Sequence, residues 1–280
     1  MSSNLVVREA TMEISPDDLE ALRIATRLLE HPGFAARLAN VIGRPIDVLT
    51  GTLPPSAKQT IATAASRALE VALKIALLTM RNRSHPRSRL WHKALAVASG
   101  AVGGTFGLAT LPIELPISTV IMLRAIASIA RSEGEVLSDP EAALACIQVF
   151  ALGGRSETTS AAESGYFAAR GVLAKSVSEA ARYVAERGLI EEGAPALVRF
   201  IAQVAARFGV VVTQKAAAQA VPVIGAFGGG AVNYAFIDHF QDIARGHFIV
   251  RRLERTYGKD AVRTAYEHLR DSTDTIAVVS

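Results

Sequence analysis

"AVPVIGAFGGGAVNYAFIDHF" occupies residues 220 to 240, and its reading decides the fold. The run is apolar almost throughout, carries a glycine cluster at its centre, and ends abruptly on Asp238 and His239. A membrane segment, a tightly packed core helix and the floor of an active site all fit that pattern. It does not alternate as a strand would, and the continuation "QDIARGHFIVRRLE" has helical spacing.

The rest of the chain reads the same way. Ser15-Pro16-Asp17-Asp18 is a helix start, with a capping serine, proline in the first turn and acids against the helix dipole. That helix stops near His31-Pro32-Gly33, and a short one follows to about Ile42. "GRPIDVLTGTLPP" reads as a connector, with Pro45, Pro54 and Pro55 as breakers. A long helix runs from about Ser56 to Arg81. Pro112 and Pro116 bracket Glu114, and the next helix resumes at "ISTVIMLRAIASIARSEG". "SDPEAALACIQVFALGG" starts on a Ser138 or Asp139 cap with Pro140 and ends at Gly153-Gly154. Residues 156 to 188 read as a longer, more exposed helix or helical pair. One more helix reaches Pro222, and a final long one holds Asn233 to Tyr257. The fold class is therefore all-α. We expect a single multi-helix domain over 15–270 with glycine-rich, tightly packed central helices, between tails at 1–14 and 271–280.

The 280 residues suffice to bury a core without disulfides or metals. The one cysteine, Cys146, rules out an intramolecular disulfide and a thiolate metal cluster, and its apolar helical setting reads as a small buried hydrophobe. The N-terminus lacks the basic and apolar regions of a secretory signal, so a cytoplasmic protein is expected. Net charge is +4.

Two stretches carry no charge, Ala94 to Ile113 and Ala216 to Ile237. Each reaches the roughly 20 residues that cross a bilayer, but Gly and Ala make both only marginally hydrophobic. Gly100 and Gly104, Gly103 and Gly107, and Gly225 and Gly229 each lie four apart, a spacing that lets another backbone approach closely. Just before the first stretch, "RNRSHPRSRLWHK" sets Arg81, Arg83, Arg87, Arg89 and Lys93 around Trp91. Cations beside an interfacial aromatic suit the anionic inner face of a membrane, at about 1 kcal/mol per cation. A solvated basic loop has the same composition. Nucleic acid is not the expected partner, because no binding module accompanies the charges.

Polar residues in apolar surroundings are the candidates for chemistry. Asp238 and Asp242 share a helix face with Asn233 nearby, while His239 and Asp242 are three apart. His247 lies two turns beyond His239. Asp238 and His239, with Glu114, form the candidate set for a hydrolase of lipid or peptide bonds. Arg124, Asn233, Asp242 and His247 read as a buried polar network that fixes helix register. Glu114 needs a partner, either Arg124 or a residue of the final long helix. The His239–His247 spacing is not that of zinc helices, and no phosphate-binding loop or dinucleotide fingerprint is present, so neither metal nor cofactor is expected.

"GLATLPIELPISTVIMLRAIASIARSEG", "AVPVIGAFGGGAVNYAFIDHFQDIARGHFIVRRLERTYG", "RPIDVLTGTLPP" and "QVFALGG" together resemble the EcsC family of bacterial proteins, over roughly residues 35 to 260. The resemblance implies a mostly helical domain. The name-giving member is encoded beside the subunits of an ABC transporter, which implies an accessory role near membrane transport or secretion. It supplies no active site to carry onto this chain. The leading expectation is thus a peripheral protein at the inner face of the membrane, with a transporter or secretion component as a partner. The competing one is the hydrolase.

Overall fold

The computed structural model describes residues 14–30, 33–81, 111–154, 165–187, 194–220 and 229–279. Among them the chain is helical and contains no strand. The helices are α1 (Pro16–Glu30), α2 (Phe34–Ile42), α3 (Ile46–Gly51), α4 (Pro55–Arg81), α5 (Leu111–Ser132), α6 (Pro140–Leu152), α7 (Tyr166–Arg187), α8 (Pro195–Gln219), α9 (Gly229–Tyr257) and α10 (Lys259–Val279).

The signals for these boundaries are local. The Ser15 hydroxyl accepts from the Asp18 N–H at 3.3 Å at the start of α1. Asp139 caps α6 by accepting from the Glu141 N–H at 3.0 Å, with Pro140 in the first turn. Gly43 ends α2 in the left-handed conformation that glycine adopts at low cost.

Two expectations are corrected. The supposed connector after Gly43 contains a helical turn and a half, α3. Pro116 does not break the chain but lies inside α5. The first four N–H groups of a helix have no partner, so Pro112 costs nothing there. Pro116 then forfeits only the bond to the Pro112 carbonyl. The backbone beyond residue 270 continues α10 to Val279, since no Gly or Pro interrupts the sequence after Lys259.

The core is organised around α6, in which every residue from Ala142 to Leu152 is buried. A helix apolar all round must be enclosed, and α4, α5, α7, α8 and α9 enclose it. Phe150 on α6 meets Phe208 on α8 at 5.1 Å and Phe240 on α9 at 5.3 Å between ring centroids. Phe236 extends the cluster to Phe34 on α2. Such ring pairs add about 0.5–1.5 kcal/mol beyond the area they bury. Cys146 sits inside this core, and burial pushes its thiol up to about 12, so it is unreactive.

Close backbone approach explains several glycines. A Cβ on Gly154 would collide with the Arg207 carbonyl of α8, and one on Gly153 would lie 2.6 Å from the Phe240 ring. On α9, a Cβ at Gly246 would meet Leu29 of α1 at 2.6 Å. The glycine pairs at 100/104, 103/107 and 225/229 lie wholly or partly outside the described residues.

Candidate functional site

The most deeply buried cation among the described residues is Lys215, near the end of α8, at 1% exposure. Its ammonium donates to Glu114 Oε1 of α5 at 3.0 Å and to Asn233 Oδ1 of α9 at 3.1 Å. It also lies over the face of Phe236, 4.6 Å from the ring centroid. A buried ammonium is tolerated only when paired and hydrogen-bonded, and these three groups do that. The sequence offers Glu114 either Arg124 or the final long helix as a partner. Its partner is Lys215, and the long helix contributes Asn233 to the same cation instead. Arg124 sits further along α5, where burial pulls its guanidinium below the usual arginine range. The sequence did signal Lys215: it is the sole charge between Arg207 and Asp238.

This contact fixes the geometry of one end of the bundle. The beginning of α5, the end of α8 and the beginning of α9 converge on it. From there α5 and α9 run in the same direction. Glu114 and Glu133 are 19 residues apart, as are Asn233 and Arg252, and Arg252 reaches Glu133 at 2.9 Å.

Asp238 and Asp242 do share a face, and one residue holds both. Arg37 of α2 donates to Asp238 at 3.1 Å and to Asp242 at 2.8 Å, a bridge between two helices. His239 turns into the core, where its Nε2–H donates to the Gly153 carbonyl at 2.9 Å and its ring packs on Phe34 and Phe240. Among the described residues, Asp238, His239 and Glu114 each serve a different partner. Neither the 530 Å³ cavity between α3, α4 and α8 nor the 310 Å³ cavity between α1, α7 and α10 is lined by any of them. Among the described residues no cluster of His, Cys, Asp and Glu is arranged to hold a metal.

His247 belongs to another buried group. Its Nδ1 lies 2.8 Å from the Tyr166 hydroxyl of α7. Arg170 donates to that hydroxyl at 3.4 Å and grips Glu254 through two bonds of 2.7 Å. Since arginine only donates, the tyrosine proton goes to Nδ1, and Nε2 carries the ring's hydrogen without a partner among the described residues. Burial, with the charges of Arg170 and Arg251, holds His247 well below the usual histidine range. Burial also pushes the Tyr166 phenol up to about 12. This group is a neutral structural node. Tyr166, Arg170 and Arg37 carried no signal in the sequence beyond their residue type.

The far end of α9 is a ladder of ion pairs. Arg251 meets Glu135 at 2.8 Å, Arg252 meets Asp18 at 2.7 Å, and Arg255 also contacts Glu135. Burial raises the Glu135 carboxyl, but the hydrogen bond and charge of Arg251, with Arg255, outweigh it and hold the group below its ordinary value.

Of the proposed membrane-surface residues, Arg81 closes α4, whereas Arg83, Arg87, Arg89, Trp91 and Lys93 lie outside the described residues. Most of the uncharged run 94–113 and the centre of 216–237 lie outside them too. Among the described helices, α5 and α8 are long and apolar enough to cross a membrane by length and composition. Only 33% and 39% of their most apolar windows are buried. Core helices of soluble proteins meet the same length and composition test.

No curated protein and no solved structure matches this chain. The model of the EcsC protein family, however, matches residues 18–253, from the first turn of α1 almost to the end of α9, and the chain belongs to that family.

Proposed function

We propose that this EcsC-family protein is a peripheral membrane protein of the cytoplasmic face, acting as an accessory factor for membrane transport or secretion. The observation that carries the reading is the incomplete burial of α5 and α8, two helices as apolar as membrane spans. A helix of that composition leaves an apolar face to be covered. The basic run between Arg81 and Lys93, with Trp91, adds attraction to anionic headgroups. The transport role rests on the genetic setting of the family's name-giving member.

The test is fractionation of cells expressing the protein, with membranes washed in turn with high salt, alkaline carbonate and detergent. Release by salt is expected. Recovery wholly in the soluble fraction would sink the reading, and release by detergent alone would replace surface attachment with insertion.

A further inference from the structure

Next to the Lys215 contact, the exposed residues at the start of α5, after α8 and at the start of α9 carry no charge among the described residues. They are Pro112 and Ile113 on α5, Ala220 after α8, and Ala231 and Tyr234 on α9. Ile113 is 70% exposed and Tyr234 is 72% exposed, among the largest values for apolar side chains among the described residues. Glu114 and Lys215 are spent on each other, and Asp238, one turn beyond Tyr234, is spent on Arg37. An exposed isoleucine and tyrosine on an uncharged rim are the residue types that enter the bilayer interface, with the phenol at headgroup level. Both uncharged stretches of sequence, 94–113 and 216–237, join the described fold here, at Leu111 and on either side of residues 221–228. Each stretch is long enough to cross a bilayer, though only marginally hydrophobic.

We propose that this end of the bundle is the lipid-contacting surface, with Ile113 and Tyr234 seated in the interface of an anionic bilayer. The inference rests on the membrane-associated reading and assigns the surface that carries it. The Glu114–Lys215–Asn233 contact then sets the positions of α5, α8 and α9 at that surface, so that two helix starts present their apolar residues side by side.

The test uses the full chain with single cysteines at Ile113→Cys, Tyr234→Cys and, at the opposite end, Thr256→Cys. Each is labelled with an environment-sensitive fluorophore, since native Cys146 is buried and unreactive. The labelled proteins are mixed with phosphatidylcholine–phosphatidylglycerol vesicles carrying a lipid-attached quencher. Blue-shifted, quenched emission at 113 and 234, with none at 256, is expected. Co-sedimentation with vesicles without quenching at 113 and 234 overturns this surface while the membrane reading stands. Absence of co-sedimentation overturns both. A blue shift that grows with protein concentration and ignores lipid would make this end an interface between two copies, and overturns the proposal as well. In a second arm, the double variant Ile113→Asp/Tyr234→Asp should bind vesicles at least about a hundredfold more weakly, since each of the two well-buried apolar side chains is worth about tenfold or more. Its thermal unfolding should match the parent, because both side chains are exposed. Equal vesicle binding would count against the proposal.

Discussion

The two ends of α9 solve opposite problems. Near Asn233 the surroundings are apolar, and the polar groups are withdrawn from the surface and satisfied internally by Lys215. Near Arg252 the helix spends its side chains on carboxylates from α1 and the end of α5. The helix is about 43 Å long at 1.5 Å per residue, so one element carries a solvated, charge-rich end and an uncharged one. The uncharged end depends on a buried pair that is costly to break. The charged end combines one well-buried pair, Arg251–Glu135, with partly exposed pairs such as Arg252–Asp18 that are individually cheap.

That contrast can be broken most severely at Lys215. Lys215→Met leaves Glu114 and Asn233 without their cation, and chemical denaturation should show a loss of about 3–5 kcal/mol. Adding Glu114→Gln should restore part of it, and a double-mutant cycle measures how much. Next in size is Gly154→Ala, where the new methyl group collides with the Arg207 carbonyl. Overpacking of this kind costs about 1–3 kcal/mol, readable in the denaturant midpoint.

Acid sharpens the comparison between the two ends. His247 is held neutral in the fold, so below about pH 6.5 the unfolded chain takes up a proton that the folded chain refuses. Its contribution to stability should fall by about 1.4 kcal/mol per pH unit as pH drops. His247→Phe should remove that slope in pH-dependent unfolding. Glu135, held below its ordinary value, stabilises the charged end at neutral pH, and this contribution is lost only as pH falls below about 4.5. The histidine effect therefore comes first on acidification. Arg252→Ala, at a partly exposed pair, should cost only about 1 kcal/mol, and 0.5 M salt should shrink the difference. The same salt should leave the Lys215→Met cost unchanged. Tyr234→Ser should change stability by less than about 0.5 kcal/mol, since the ring is exposed.

The helices were legible because caps, prolines and apolar spacing act within a few residues. Asp139 and Ser15 are read from neighbours on the chain. The partners at the site were not legible, because they are set by which helices meet. Glu114, Arg124 and Lys215 are three isolated charges in apolar runs, and periodicity cannot say which two pair. Only the convergence of α5, α8 and α9 selects Lys215. For the same reason, the sequence cannot say that Asp238 and His239 face different partners. Adjacent positions on a helix point about 100° apart, and here one faces Arg37 while the other enters the core. Gly153-Gly154 does end α6, and its tighter constraint comes from Phe240 and Arg207 on other helices.

The asymmetry between the two ends of α9 is tested most directly by hydrogen exchange of the whole protein with and without anionic vesicles. The account predicts added protection at the start of α5 and the start of α9, around residues 111–117 and 229–236, and none around 251–257. Protection gained at the arginine-rich end instead, or at neither end, would contradict it.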